Sequence, residues 1–261
     1  ENDLLQAIEK DQLRLVYQPI VHLHSGRVYG FEALLRWQHP TKGVVSPLDF
    51  IPLAEEIGII VPIGEWVLRE ACLELARWRG LPELDHLFVS VNLSRKQLRC
   101  PNLVEVIRNI IRETGLPASA IKLEITESAI MEDIDLAVII LGQIRELGID
   151  LHIDDFGTGY SSLSCLHNFP VSGMKIDRSF IHNVVDNPDH SAIINAVVTL
   201  AHNLHLELIA EGVETLDQMT MLQSMGCDFA QGYYFQRPLT CDQALEYARK
   251  QNCTKQSTMA A

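Results

Sequence analysis

Residues 121–126 read Ile-Lys-Leu-Glu-Ile-Thr, and residues 149–154 read Ile-Asp-Leu-His-Ile-Asp. Each alternates apolar with polar residues, the period of a strand whose two faces meet different surroundings. Residues 133–147 between them read as a helix, and Gly148 stands where a helix C-cap belongs. The same rhythm recurs on both sides. Strands are predicted over 87–93, 172–177, 206–211 and 228–232. Helices are predicted over 102–114, 161–168, 190–203, 216–225 and 241–250, with Gly115 and Gly226 as further C-caps. Strands alternating with helices imply a parallel sheet joined by right-handed crossovers.

Upstream, residues 13–23 and 28–37 read as two more strands, with Ser25-Gly26 as a tight turn between them. That predicts an antiparallel hairpin. Pro47 marks the start of one helix, and Pro62 and Gly64 punctuate the chain before a second over 65–79. Eight strands in about 250 residues suit a closed barrel. The expected fold is α/β, a modified (β/α)8 TIM-like barrel with one antiparallel strand. An open doubly wound sheet is the alternative, weakened because no GxGxxG follows an early strand. Residues 1–250 are expected to form one domain, and the polar, small residues 251–261 a flexible tail.

The chain has 261 residues, 47% hydrophobic and 21% charged, an ordinary globular composition. It holds no apolar run near the roughly 18 residues that span a bilayer and no signal-peptide pattern. It opens on Glu1 rather than Met, as a piece of a longer protein would. The net charge of −13 disfavours a groove that grips polymeric nucleic acid by its phosphates. Phosphate chemistry here would need cations placed locally, divalent metal being the obvious source; acidity that merely keeps the protein soluble is the bland alternative. The six cysteines form no CxxC pair, which disfavours a zinc site or disulfide framework. Reduced thiols in a cytoplasmic protein are expected.

The polar residues of the strands share a face. Glu32, Asn92, Glu124, Asp154, Lys175 and Glu211 lie opposite the apolar face that suits a ring of helices, and so point into the barrel. Most stand near the C-terminal end of their strand, where barrel enzymes build active sites. Charge there is costly unless paired or metal-bound. Any one of the six could be a structural ion pair; six unrelated pairs are far less plausible. Four carboxylates and an amide oxygen are hard ligands suited to Mg²⁺ or Mn²⁺. No His or Cys joins the set, so zinc is not favoured. His152 shares the inward parity and reads as a hydrogen-bonded core histidine. Asp155 follows Asp154 directly, and adjacent carboxylates can serve two ions that clamp a phosphoryl centre. The Phe156–Ser162 segment reads as a glycine-containing mobile loop or as a plain loop into a Ser-capped helix.

Taken in order, eight segments resemble the EAL family of cyclic-di-GMP phosphodiesterases. They are Tyr17-Gln18-Pro19-Ile20, Glu32-Ala33-Leu34-Leu35-Arg36-Trp37, Val91-Asn92-Leu93-Ser94, Glu124-Ile125-Thr126-Glu127-Ser128, Asp154 through Ser161, Lys175-Ile176-Asp177, Ala210-Glu211-Gly212-Val213-Glu214, and Gln231-Gly232-Tyr233. The resemblance implies hydrolysis of one phosphodiester bond of cyclic-di-GMP to linear pGpG. It implies that Glu32, Asn92, Glu124 and Asp154 hold one Mg²⁺ or Mn²⁺, and that Asp154, Asp155 and Glu211 hold a second. Lys175 would position the attacking water and stabilise negative charge, with Glu211 viewed either as ligand or as general base. Arg36 resembles a phosphate contact and Gln18 a nucleotide contact. Glu127 resembles the anchor of the Asp-Asp loop, and Glu214 and Gln231 resemble residues that brace the metal ligands. A homodimer, and attachment to sensor or GGDEF-type domains in a longer, membrane-anchored parent, are also expected from the resemblance. No departure from the catalytic pattern is visible. A non-catalytic cyclic-di-GMP receptor is the rival reading, and another metal-dependent barrel hydrolase a third.

Overall fold

The computed structural model describes residues 2–157 and 169–256. Nine strands form one sheet: β1 (Leu13–His22), β2 (Val28–His39), β3 (Gly43–Val45), β4 (Phe88–Asn92), β5 (Ile121–Thr126), β6 (Asp150–Phe156), β7 (Gly173–Ile176), β8 (Glu207–Ala210) and β9 (Phe229–Ala230). From β2 through β4, β5, β6, β7 and β8 to β9 every neighbour is parallel. β1 pairs antiparallel with both β2 and β9, which closes eight strands into a barrel and excludes the open sheet. β3 lies outside the ring, paired only with β2. β1 must run against its neighbour because the link to β2 is a tight turn, with Gly26 N–H donating to His22 C=O at 2.7 Å. A parallel connection needs a crossover of a dozen or more residues.

The barrel has two apolar regions. The outer one lies between the strands and the surrounding helices, where Val89, Val91, Leu123, Ile153 and Met174 are buried. There Trp78 meets Tyr17 and Phe31 edge-on, at ring distances of 4.9 and 5.2 Å. The second, formed by Ile20, Phe88, Ile209 and Phe229, is a separate cluster on inward-facing positions of four strands. Small barrels fill their interior with side chains rather than leaving a pore.

Several boundaries differ from the sequence expectation. The helix expected over 65–79 begins at Ile60. Pro62 sits in its first turn, where the missing N–H has no intrahelical acceptor anyway. Gly64 lies inside the helix because the Gln97 side chain packs directly on it. Gly115, Gly148 and Gly226 all take positive φ, as C-capping requires. The last helix runs Cys241–Gln256, so residues 251–256 continue it instead of opening a tail. The helix expected over 161–168, and the loop from Thr158 to Ser162, lie outside the described residues. Three of the short helices not foreseen are Arg95–Leu98, Glu127–Met131 and Arg178–His182. Each closely follows a strand (β4, β5 or β7) at the same rim. Among the described residues no helix is long and apolar enough to cross a membrane.

Candidate active site

Lys175 stands at the centre of the C-terminal rim. It is the penultimate residue of β7, and its side chain is buried. Its ammonium lies 2.5 Å from Glu211, 2.8 Å from Glu124, 3.3 Å from Glu32 and 3.5 Å from Asp154. Four carboxylates from β2, β5, β6 and the residue after β8 thus converge on one cation. Asn92, the last residue of β4, donates to Glu32 at 2.7 Å. Gln231, just after β9, also donates to Glu32 at 2.7 Å and to Gln18 at 3.0 Å. Gln18 on β1 is the register partner of Glu32 and donates to Gln236 C=O at 3.3 Å. Oxygens of Asp154, Asp155 and Glu211 all lie within 4.8 Å of one another.

Local chain geometry sets this arrangement. Inward residues alternate along each strand, and the barrel stagger brings successive strand ends to one level. Asp155 turns its carboxylate toward Asp154 and Glu211 by adopting φ +53°, unusual for a non-glycine, while its N–H bonds Asp154 Oδ1 at 2.9 Å. Backbone strain of this kind clusters at functional sites.

The electrostatics are unbalanced. Five carboxylates (Glu32, Glu124, Asp154, Asp155, Glu211) face one ammonium, which leaves four negative charges if all are ionised. Burial alone would lower the Lys175 pKa, but Asp154, Glu124, Glu211 and Glu32 hold it well above its ordinary value. Burial pushes Glu32 up, yet Lys175, Gln231 and Asn92 outweigh it and hold the carboxyl below its usual value. Glu124 goes the other way: burial, reinforced by Glu32 and Asp154 against the pull of Lys175, raises it well above the usual range. Burial likewise pushes Glu211 up to about 7 against the attraction of Lys175, with repulsion from Asp154 and Glu32 adding to it. Asp155 is raised by burial and by Asp154 and Asp177. The cluster holds more carboxylates than its one cation can keep ionised. All-oxygen donors and excess negative charge fit a divalent-cation centre.

Beside this cluster lies a cavity of about 570 Å³, whose lining includes Leu35, Arg36, Pro47, Asn92, Ser94 and Arg95. That is the size of a small-molecule site. Arg36 is half-buried, which lowers its pKa against the opposing influence of Tyr233 and Glu32, and its Nη1 donates to Leu35 C=O at 2.8 Å.

The remaining expected residues divide. Glu127 opens the short helix after β5 and is buried, with Oε2 accepting from Gly157 N–H at 3.3 Å. It therefore touches the segment that follows the Asp pair. Glu214 is not brought to the cluster. It is exposed, and its backbone N–H is tied to Gln218 Oε1 at 2.8 Å beside the capped start of the Leu216–Ser224 helix. Asp177 caps the Arg178–His182 helix by accepting from Ser179 N–H at 3.0 Å. His152 is fully buried as expected, but neither ring nitrogen has a hydrogen-bond partner among the described residues. Lys122, overlooked in the sequence, takes the nearby Glu207 carboxylate and lies over the Phe88 ring at 4.2 Å. Its inward parity was the available signal.

Known proteins resemble this chain over most of its length. The chain is 45% identical over 244 residues to the bifunctional diguanylate cyclase/cyclic di-GMP phosphodiesterase MucR of Pseudomonas aeruginosa, covering 94% of this chain and 36% of that protein. It is 44% identical over 249 residues to the cyclic di-GMP phosphodiesterase NbdA of the same organism, covering 95% of this chain and 32% of NbdA. The chain thus spans about a third of the length of these relatives. A solved structure of the PaMucR phosphodiesterase in complex with c-di-GMP superposes with a TM-score of 0.89 at 44% identity, covering 93% of this chain and 98% of that one. The EAL domain family model matches residues 1–238, and the chain belongs to that family.

Proposed function

We propose that this chain is a metal-dependent phosphodiesterase that hydrolyses one phosphodiester bond of cyclic-di-GMP to linear pGpG. The observation that carries the reading is the convergence of four carboxylates on Lys175, with Asp155 close to two of them, beside a groove lined by Arg36. The substrate class is supported by the named activities of MucR and NbdA and by the c-di-GMP complex of PaMucR.

In this reading Glu32, Asn92, Glu124 and Asp154 hold one Mg²⁺ or Mn²⁺, and Asp154, Asp155 and Glu211 hold the other. Held by these residues, such ions would neutralise the surplus carboxylate charge and lower the pKa of water at the site. Lys175 keeps its proton among four carboxylates and presents a fixed positive charge to the developing transition state. Arg36, reaching the groove from β2, binds a phosphate oxygen, and its half-burial strengthens that contact. Gln18 and Gln231 hold Glu32 in place through their hydrogen-bond chain, and Gln18 also meets the nucleotide. Glu127 tethers the segment after Asp155 through Gly157. Glu211, with a carboxyl near pKa 7, is suited both to ligation and to accepting the proton of the attacking water. Glu211→Gln keeps an oxygen but loses the base.

The parts outside the site belong to the same proposal. They are a homodimer, a cytoplasmic location, and attachment to sensor or GGDEF-type domains. The one-third coverage of MucR and NbdA supports the last.

The test is turnover of cyclic-di-GMP with product identified as pGpG. Chelation should silence it, Mg²⁺ or Mn²⁺ should restore it, Ca²⁺ should inhibit it, and Glu32→Ala or Asp154→Ala should abolish it. Tight cyclic-di-GMP binding with no pGpG under any of these ions would favour the receptor instead.

A further inference from the structure

Inside the barrel, on positions set back from the open rim, three adjacent strands carry polar atoms that no protein group satisfies. Ser90 Oγ on β4, Glu124 Oε1 on β5 and both ring nitrogens of His152 on β6 are buried without a hydrogen-bond partner among the described residues. Register sets Ser90 opposite Lys122, Asn92 opposite Glu124, and Glu124 opposite His152. The three side chains therefore project from the same face of neighbouring strands, into the interior where Lys175 meets Glu124. One unpaired buried polar atom costs about 1–3 kcal/mol, so polar atoms left bare on one face of three adjacent strands call for a ligand.

The neighbourhood says which ligand. His152 is the register partner of Gly173 on β7, where a Cβ would lie 2.7 Å from His152 Nε2. Glycine at 173 is what leaves room for the imidazole. Glu207 Oε2 is 3.7 Å from Nε2, beyond hydrogen-bond range, and is taken by Lys122. The Lys122 ammonium beside Glu207 disfavours a cation at the ring. In its neutral form the imidazole offers one N–H donor and one bare nitrogen. A hydroxyl, a neutral imidazole and a carboxylate oxygen together match the two donors and two acceptors of a water molecule.

We propose that His152 is a positioning residue: with Ser90 it holds one buried water against Glu124 Oε1 and so fixes the Glu124 carboxylate. The other oxygen of Glu124 lies 2.8 Å from Lys175, so its orientation is set from both sides. The consequence for ion binding rests on the proposed role of Glu124 as a metal ligand. Outer partners of this kind typically change metal affinity roughly 10–100-fold.

The experiment is an Mn²⁺ titration of the nucleotide-free protein, followed by electron paramagnetic resonance, with melting curves to check folding. His152→Leu fills the space without hydrogen bonding and should weaken Mn²⁺ binding by roughly 10–100-fold. His152→Gln restores a donor and an acceptor and should recover most of that loss. Ser90→Ala should weaken binding in the same direction, and it decides the matter if His152→Leu does not fold. Wild-type Mn²⁺ affinity in folded His152→Leu or, failing that, in Ser90→Ala would overturn the proposal. Absence of Mn²⁺ uptake by the wild-type protein would instead defeat the metal reading. The relay would then be judged by a high-resolution crystal structure. A water within hydrogen-bond reach of both His152 and Glu124 Oε1 upholds it, and a dry contact overturns it.

Discussion

Lys175 Nζ lies 2.8 Å from Glu124 Oε2, and neither side chain reaches solvent. One ammonium at the centre of several buried carboxylates serves two purposes. It is the fixed charge proposed to act in the reaction, and it offsets part of the repulsion that the carboxylates exert on the fold.

Lys175→Met should therefore fail in both respects. Removing one member of a buried charge set costs about 3–5 kcal/mol. Turnover should fall at least 10²–10³-fold, the loss typical of one transition-state donor. The metal-free variant should melt well below the metal-free wild type, and added Mn²⁺ should narrow that gap. Equal melting temperatures in EDTA would mean the ammonium does not stabilise the cluster.

A pH effect follows from Glu211, whose folded pKa of about 7 lies above its ordinary 4.5. The folded state holds this proton more tightly than the unfolded chain does. The resulting stability is fully present below 4.5 and is lost as pH rises through about 7. Glu32 has the opposite sign, but its loss comes as pH falls through its depressed folded pKa, below this window. In EDTA the melting temperature should thus show a decline from this group between pH 5 and 8. In Mn²⁺ the decline should vanish, because a bound cation replaces the proton. A difference between the two series that shrinks as pH rises would contradict the shift.

Arg36→Ala should weaken cyclic-di-GMP binding about 10–100-fold, the range for a charge-assisted contact of about 1.5–3 kcal/mol. Arg36→Lys should recover only part of it, since a lysine lacks the planar fork. Calorimetry with Ca²⁺ in place of the activating ion measures binding without turnover. Unchanged affinity in Arg36→Ala would remove Arg36 from the groove chemistry.

Gly232→Ala should be among the costlier glycine substitutions. A Cβ there would sit 2.1 Å from Val213 C=O and 2.3 Å from its N, both rigid backbone atoms. Overpacking costs about 1–3 kcal/mol where neighbours can shift, and more where they cannot. Because Gln231 precedes it and bonds Glu32, activity should fall with stability. Gly142→Ala, inside the Ile134–Glu146 helix with nothing within 4 Å of the added carbon, is the control and should stabilise by about 0.5–1 kcal/mol. Equal melting temperatures for the two variants would refute the close approach.

Much of this was legible in the chain. Period-two strands, their helix partners and the glycine caps specify an α/β barrel, and the Ser25-Gly26 turn between two strands specifies its antiparallel member. Strand parity alone picked out Glu32, Asn92, Glu124, Asp154, Lys175 and Glu211, because side-chain direction along a strand is a local property. Helix ends were less legible: Pro62 and Gly64 carry breaker chemistry, yet Pro62 falls in the first turn and Gln97 packs directly on Gly64.

What the linear sequence could not supply were distances and pairings between strands far apart along it. Parity put His152 inside, but whether its nitrogens found partners depended on Lys122 capturing Glu207 from across the barrel, 85 residues away. Glu214 sits in a segment that resembles its relatives, yet the turn into the Leu216–Ser224 helix leaves it in solvent. The order of residues determined which groups face inward. The closure and stagger of the barrel decided which of them meet, and thereby which carboxylates share the single ammonium and which take up protons.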